Sequence, residues 1–378
     1  MVNVGFDAKW YFQGPPSGQV VVKNLVDLLI DRQLPFTLYL FVDDQYVEQA
    51  RTLERENVKI IPIRARPNLL SNVFIIPYWI QKLKLDIVFF QNFACLWPLS
   101  VKKVVCVLDV LFLDYPEFFT KKEMMYFSPM RFLAQRADYL FTISKSEKNR
   151  FIKHQLGSDS NIDVLYLGIN EKFKPLSEYS IEQVAEIEAK YNLPKRYILS
   201  VGRINIRKNL VNLIKALPFI KDKSIPLVIV GKADHKNVAI APYVEQYQLQ
   251  DRIQFTGFVP DEDLYIIYAR STLFCFPSYA EGFGFPPLEA MSCGVPAVVS
   301  DRTSLPEICG NAATYINPDE PEDIANKIDL LLYDDAYYQE KSRLSLLQSA
   351  GFTWDKAVDK IIVQIEIMAG LQASVFSN

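Results

Sequence analysis

Residues 281–289 read Glu-Gly-Phe-Gly-Phe-Pro-Pro-Leu-Glu, with a carboxylate at each end of a glycine-then-proline turn. Gly282 and Gly284 let a backbone approach a ligand closely. Pro286 and Pro287 suit the first turn of a helix, and Gly294 suits its end. Glu281 is therefore expected at a strand end and Glu289 early in a short helix. Two carboxylates so placed can accept hydrogen bonds from sugar hydroxyls; the plainer alternative is that they cap the helix. A second stretch, Gly202-Arg-Ile-Asn-Ile-Arg-Lys-Asn209, puts Arg203, Arg207 and Lys208 in one loop between a strand and a helix. Cations there suit an anionic group such as a diphosphate; a solvated basic loop is the alternative.

The elements around these residues follow from periodicity. Short runs rich in Val, Ile and Phe at 2–6, 36–42, 58–62, 87–90, 104–108, 139–143 and 163–165 read as buried strands. Amphipathic stretches at 19–32, 121–135 and 145–153 alternate with them, the pattern of a parallel sheet. A polar, proline-bearing linker follows at 168–179. The alternation resumes with strands at 196–201, 227–230, 253–255, 272–276, 295–300 and 313–316, and helices at 209–219, 243–247, 262–269, 287–292 and 321–332. The expectation is α/β: two doubly wound Rossmann-like domains facing across a cleft. Ligands of such sheets bind beyond the carboxyl ends of the strands.

Composition narrows the classes. The chain has 378 residues, half of them hydrophobic, and a net charge of −3, which speaks against a general nucleic-acid binder. Five cysteines without CxxC spacing and only two histidines, His154 and His235, leave no disulfide or zinc framework legible. No basic-then-apolar leader or long apolar run is present, so a cytoplasmic protein is expected. Gly231-Lys232 lacks the rest of a Walker A motif.

The E-x7-E stretch, Tyr197-Ile-Leu-Ser-Val-Gly-Arg-Ile-Asn-Ile-Arg-Lys-Asn-Leu, Leu227-Val-Ile-Val-Gly-Lys, Phe255-Thr-Gly-Phe-Val-Pro-Asp-Glu-Asp-Leu and Ser304-Leu-Pro-Glu together resemble the retaining glycosyltransferases of family 4, which have the GT-B fold. The first half resembles them more loosely, in Phe6-Asp-Ala-Lys-Trp, Ala137-Asp-Tyr-Leu-Phe-Thr-Ile-Ser-Lys-Ser and Leu165-Tyr-Leu-Gly-Ile-Asn. The nearest flavour is the mannosyltransferase-like branch of surface-polysaccharide synthesis. The resemblance implies an acceptor-side domain over 1–174 plus 356–378 and a donor-binding domain over 175–355. It implies that Arg203 and Lys208 bind the donor diphosphate and that Glu289 holds the ribose. Glu281, with Gly282 and the N–H groups of Phe283 and Gly284, would hold the donor sugar. Gly18 would let its loop close over the phosphate, and Val259 would meet the base through its backbone. Asp109 is carried over among the catalytic residues as an acceptor-side carboxylate, with a buried structural carboxylate as the alternative. Leu108 departs from the family, which has histidine there, and no arginine follows Gly18.

These implications give a metal-independent hexosyltransferase with no cofactor. It would take a nucleotide sugar, GDP-mannose first, and a glycan or lipid-linked acceptor. A UDP-sugar or GDP-fucose donor, a nucleotide-sugar epimerase and a non-catalytic nucleotide-sugar binder are the alternatives. The Asp261-Glu-Asp263 string falls at an expected helix start and is read as capping that helix rather than as a metal-binding D-x-D. The segments 64–85 and 121–135 mix cations with Met and aromatics; each reads first as an ordinary helix with its apolar face in the core, and peripheral contact with a membrane or a lipid-linked acceptor is the alternative.

Overall fold

The computed structural model describes residues 2–232 and 239–371. His235 and the last seven residues of the 356–378 segment lie outside them. The chain divides into two compact units: the described residues of Met1–Leu113, Lys122–Gly168 and Thr353–Asn378 form one, and Asp114–Lys121 with Ile169–Phe352 the other.

The first unit is built on β1 (Val2–Asp7), β2 (Phe36–Asp43), β3 (Val58–Ile63), β4 (Ile87–Gln91), β5 (Lys102–Val107), β6 (Tyr139–Thr142) and β7 (Ile162–Val164). They form a parallel sheet in the order β3-β2-β1-β4-β5-β6-β7. All of β4 is buried, as a central strand covered on both faces requires. The helix Pro16–Asp31 covers one face through Val21, Val22, Leu25, Val26 and Leu29. The helix Trp354–Ala369 packs against it, its start capped by Thr353 and its apolar face formed by Val358, Ile361 and Ile365. Arg32 ties the two helices, with Nη2 at 2.5 Å from Asp355 and 3.2 Å from Asp359.

The second unit carries β8 (Ile198–Val201), β9 (Leu227–Val230), β10 (Ile253–Gly257), β11 (Leu273–Phe276), β12 (Ala297–Ser300) and β13 (Thr314–Ile316). Their parallel order is β10-β9-β8-β11-β12-β13. One core lies on each face of this sheet, around Phe274 and Met291 on one side and Leu213 and Ile328 on the other.

The α/β class with two doubly wound sheets is therefore observed. Two local expectations change. The stretch 121–135 is not one helix: it breaks around Pro129 into Lys121–Phe127 and Met130–Ala134, because proline has no N–H to continue the ladder. Asp261 and Asp263 do open a helix, Asp261–Arg270, but no side chain caps it; Asp263 instead binds Lys190 Nζ at 2.7 Å and the Tyr191 hydroxyl at 2.5 Å.

Candidate functional site

In the second sheet the chain runs outward from β8 in one direction and from β11 in the other. The carboxyl ends of these neighbours therefore splay apart and leave a crevice. Both singled-out stretches end there: β8 leads into Gly202–Asn209, and β11 into Pro277–Glu281. Backbones crowd at this edge. A Cβ on Gly231, which has φ of 146°, would stand 1.9 Å from the Gly202 carbonyl oxygen. Glycine is the residue that permits that approach.

Glu281 is the hub. It is 7% exposed, and its carboxylate meets two cations: Oε2 lies 2.6 Å from Arg207 Nη1 and Oε1 lies 2.8 Å from Lys208 Nζ. The Ser278 hydroxyl donates to Oε1 as well. The main chain is fixed too. The Glu281 N–H donates to Thr303 Oγ1 at 2.9 Å, and the Ser304 hydroxyl donates to the carbonyls of Glu281 and Phe283 at 2.9 and 2.6 Å. Burial alone would raise this carboxyl, but Arg207 and Lys208 outweigh it and hold it down at about 2. Lys208 moves the other way. Burial lowers its ammonium to about 8, with Glu281 opposing the shift and the charges of Arg207 and Arg203 adding to it. The ammonium also lies over the Phe276 ring, 4.5 Å from its centre.

Glu289 stands in a different environment. Its helix, Phe285–Ser292, starts after Gly284 (φ 125°) with prolines in its first turn, as the turn chemistry predicts. The Tyr268 hydroxyl donates to Glu289 Oε2 at 2.6 Å. Burial pushes the Glu289 carboxyl up to about 7, and the Lys208 charge pulls against that rise. The two glutamates thus differ in state: Glu281 is a locked, ionised carboxylate, whereas Glu289 is half-buried and close to neutrality in its titration. Lys208 is coupled electrostatically to both.

Arg203 lies exposed just beyond β8. Val259 follows the end of β10 with its side chain in the core, and Phe283 is buried, edge-on to Phe285 and Phe352. Gly282 and Gly284 join Glu281 to the helix. All of these belong to the second unit. Gly18 and Asp109 belong to the first. Gly18 sits in the Pro16–Asp31 helix against the Trp10 ring, where a Cβ would come within 2.7 Å of Trp10 Cε3. Leu108 and Asp109 follow β5, half-buried, and Asp109 Oδ1 accepts from the Leu111 N–H at 3.3 Å. Beside them Glu147, fully buried, accepts from the Val110 N–H at 2.9 Å and pairs with Arg150. Burial and the Asp109 charge push Glu147 up to about 8 against the pull of Arg150.

Sequence reasoning missed three partners. Arg207 was visible in the basic loop, yet only its contact with Glu281 gives it a role. Ser278, three residues before Glu281, is a spacing at which a hydroxyl can reach back. Tyr268 reads as a core aromatic, and nothing local shows that its hydroxyl meets Glu289, 21 residues away. The first sheet also has a crevice, where β1 and β4 part. There Lys9 Nζ lies 2.7 Å from Asp7 Oδ1 and donates to Asn72, while Asp7 Oδ2 and Gln91 Nε2 are buried without a hydrogen-bond partner.

Comparison with known proteins bears on both units. Residues 183–345 match the family of glycosyl transferases group 1, and residues 18–173 match Glycosyltransferase Family 4. The chain is 38% identical over 226 residues to the serotype-specific mannosyltransferase WbdA of Escherichia coli, a match spanning 58% of this chain and 28% of that protein. It therefore corresponds to little more than a quarter of that relative's length. It is 30% identical over 259 residues to the O-antigen chain mannosyltransferase B of Escherichia coli, covering 67% of each. Among solved structures, Anabaena HepE in complex with UDP and glucose superposes with a TM-score of 0.73 at 18% identity, over 98% of this chain and 100% of that one. Likeness at that identity speaks to fold, and the fold is that of the GT-B glycosyltransferases.

Proposed function

The chain belongs to the glycosyl transferases of group 1, and on that footing we propose that it moves a hexose, with retention of configuration, from a nucleotide sugar to a hydroxyl of a glycan or lipid-linked saccharide. The donor that fits best is GDP-mannose, because WbdA and the O-antigen chain enzyme are mannosyltransferases. The observation that carries this reading is the Arg207–Glu281–Lys208 cluster at the β8/β11 crevice. It fixes a carboxylate and an ammonium side by side through contacts within the protein itself, the kind of preorganisation that group transfer needs.

In this reading Arg203 and Lys208 face the donor diphosphate. The bond from the sugar's anomeric carbon to the diphosphate oxygen breaks, and its electron pair stays on that oxygen. The two cations stabilise the charge so formed. The acceptor hydroxyl oxygen makes the new bond on the same face and gives its proton to the departing diphosphate. Glu281, held ionised, accepts hydrogen bonds from the sugar hydroxyls and is not a nucleophile. Glu289 accepts from the ribose, and Asp109 stands on the acceptor side. No metal ion is required, because the loop cations supply the charge.

A UDP-sugar is the second donor reading, favoured by the bound UDP of the HepE structure. Calorimetry of the purified chain with GDP and with UDP separates the two: tighter binding of GDP supports mannose transfer, and tighter binding of UDP replaces it. In this reading a lipid-linked acceptor would bring the enzyme into peripheral contact with the cytoplasmic face of a membrane.

A further inference from the structure

The stretch Phe6-Asp-Ala-Lys-Trp has no part in the donor site, yet it buries two charged groups. Asp7 is 1% and Lys9 3% exposed. Both stand where β1 and β4 part, the kind of crevice in which open α/β sheets take their ligands. Asp7 Oδ1 is used twice, by the Lys9 backbone N–H at 3.4 Å and by Lys9 Nζ at 2.7 Å. Asp7 Oδ2 is buried and has no hydrogen-bond partner among the described residues. A buried carboxylate oxygen left open costs free energy that a bound hydroxyl would recover.

The groups around that oxygen are held in place. Lys9 Nζ also donates to Asn72, whose Nδ2 donates to the Phe93 carbonyl at 2.8 Å. Asn72 is fully buried on the π-helical turn Ser71–Ile75, an irregularity frequent at functional sites. Asn68, one turn earlier, donates from Nδ2 to the Tyr126 hydroxyl at 3.3 Å, and its buried Oδ1 is open. The Tyr126 ring stands edge-on to Phe93, with centres 5.3 Å apart. Burial raises the Tyr126 phenol, the Asn68 bond opposes the rise and the Asp7 charge adds to it, so Tyr126 is within electrostatic reach of Asp7. At 37% exposed, Tyr126 is the outermost of these six residues and forms the rim of the crevice.

We propose that this crevice binds an uncharged sugar ring of the acceptor saccharide, with a ring hydroxyl donating to Asp7 Oδ2. The open polar atoms decide the chemistry. Two oxygens await a donor, Asp7 Oδ2 and Asn68 Oδ1. Two donors have a hydrogen to give: Lys9 Nζ, which spends two of its three on Asp7 and Asn72, and the Tyr126 O–H. A set of both kinds matches neighbouring hydroxyls, each of which donates and accepts. A phosphate would instead bring its negative charge against Asp7 Oδ2. The Phe93 and Tyr126 rings supply the apolar wall that the C–H face of a sugar ring needs. Access to Oδ2 requires the Tyr126 side chain to swing outward, which its place at the rim permits. That the occupant is the acceptor saccharide rests on the transfer reading; the open polar set does not.

The test is titration of the full chain with methyl α-mannopyranoside and, separately, with mannose 6-phosphate, followed by saturation transfer to the ligand in NMR. The expected result is binding of the methyl mannoside, with or without GDP present, and weaker binding of the phosphate. Asp7→Asn should weaken the mannoside about tenfold or more, and Asn68→Ala and Tyr126→Phe about threefold each, the loss of one hydrogen bond to a charged and to a neutral group. Glu281→Gln should leave this binding unchanged. Thermal melts check the fold of Asp7→Asn, and the two rim substitutions keep the test valid if that variant fails to fold. Calorimetry with GDP on the crevice variants should match the parent. If GDP does not bind the parent while the mannoside arms behave as stated, the transfer reading falls and the crevice site stands. The proposal is overturned if the parent shows no transfer to methyl mannoside, if all the crevice variants bind it equally, if Glu281→Gln alone removes it, or if mannose 6-phosphate binds as tightly.

Discussion

Lys208 Nζ stands 2.8 Å from Glu281 Oε1, and both groups are nearly out of contact with water. Neither side chain can change alone. Removing one partner of a buried pair leaves the other charge uncompensated, at a cost of about 3–5 kcal/mol. Glu281→Ala should therefore lower the melting temperature and abolish turnover together, while Glu281→Gln, which keeps the shape, should lower kcat by on the order of 100-fold. Unchanged kcat in Glu281→Gln would remove the residue from the site.

Arg207 gives a second test, because it grips the other oxygen of the same carboxylate. A double-mutant cycle of Arg207→Ala and Glu281→Ala, read by urea denaturation, should show a coupling of about 1–3 kcal/mol. Additive losses would mean that the contact does not hold the loop.

The two glutamates should respond to pH in opposite ways. Glu281 is held at about 2, below its ordinary 4.5, so its stabilisation is present above 4.5 and is lost as pH falls toward 2. Glu289 is raised to about 7, so the folded state holds its proton longer than the unfolded chain does. Its contribution to stability therefore falls as pH rises from 4.5 to 7. Glu289→Gln should gain melting temperature relative to the parent across that window, and also weaken nucleotide binding. A difference that stays flat from pH 4.5 to 7.5 would contradict the assigned environment.

Charge at the diphosphate comes from side chains in this account. Incubation with EDTA should leave turnover unchanged, and added Mg²⁺ or Mn²⁺ should not raise it. Activity lost with chelation and restored by metal would require a different donor site.

Gly18 is packed under an indole ring, which gives it a measurable structural share. Gly18→Ala pushes a methyl group toward Trp10 Cε3, 2.7 Å from the built Cβ, and should destabilise the chain by about 1–3 kcal/mol unless the ring shifts. An unaltered denaturation midpoint would show that the ring yields freely.

Most of the architecture was legible because its strands are short buried runs of Val, Ile and Phe, and all thirteen expected strands occur. The helices that escaped have physical reasons. Ile181–Tyr191 buries little beyond Ile187, and Asp335–Ser349 buries only two serines outright, so neither shows a strong apolar stripe. At the site, local chemistry located the glycine-proline turn and the basic loop. It could not pair Arg207 with Glu281, or Tyr268 with Glu289, since those contacts form only when separate strand ends and helices are brought together by the sheet.

The most direct measurement is release of nucleoside diphosphate from a panel of nucleotide sugars by the purified chain, with and without a saccharide acceptor. GDP should appear from GDP-mannose in an acceptor-dependent way, and the signal should vanish in Arg203→Ala and Glu281→Ala. Release from no donor, or release that survives both substitutions, would contradict the account.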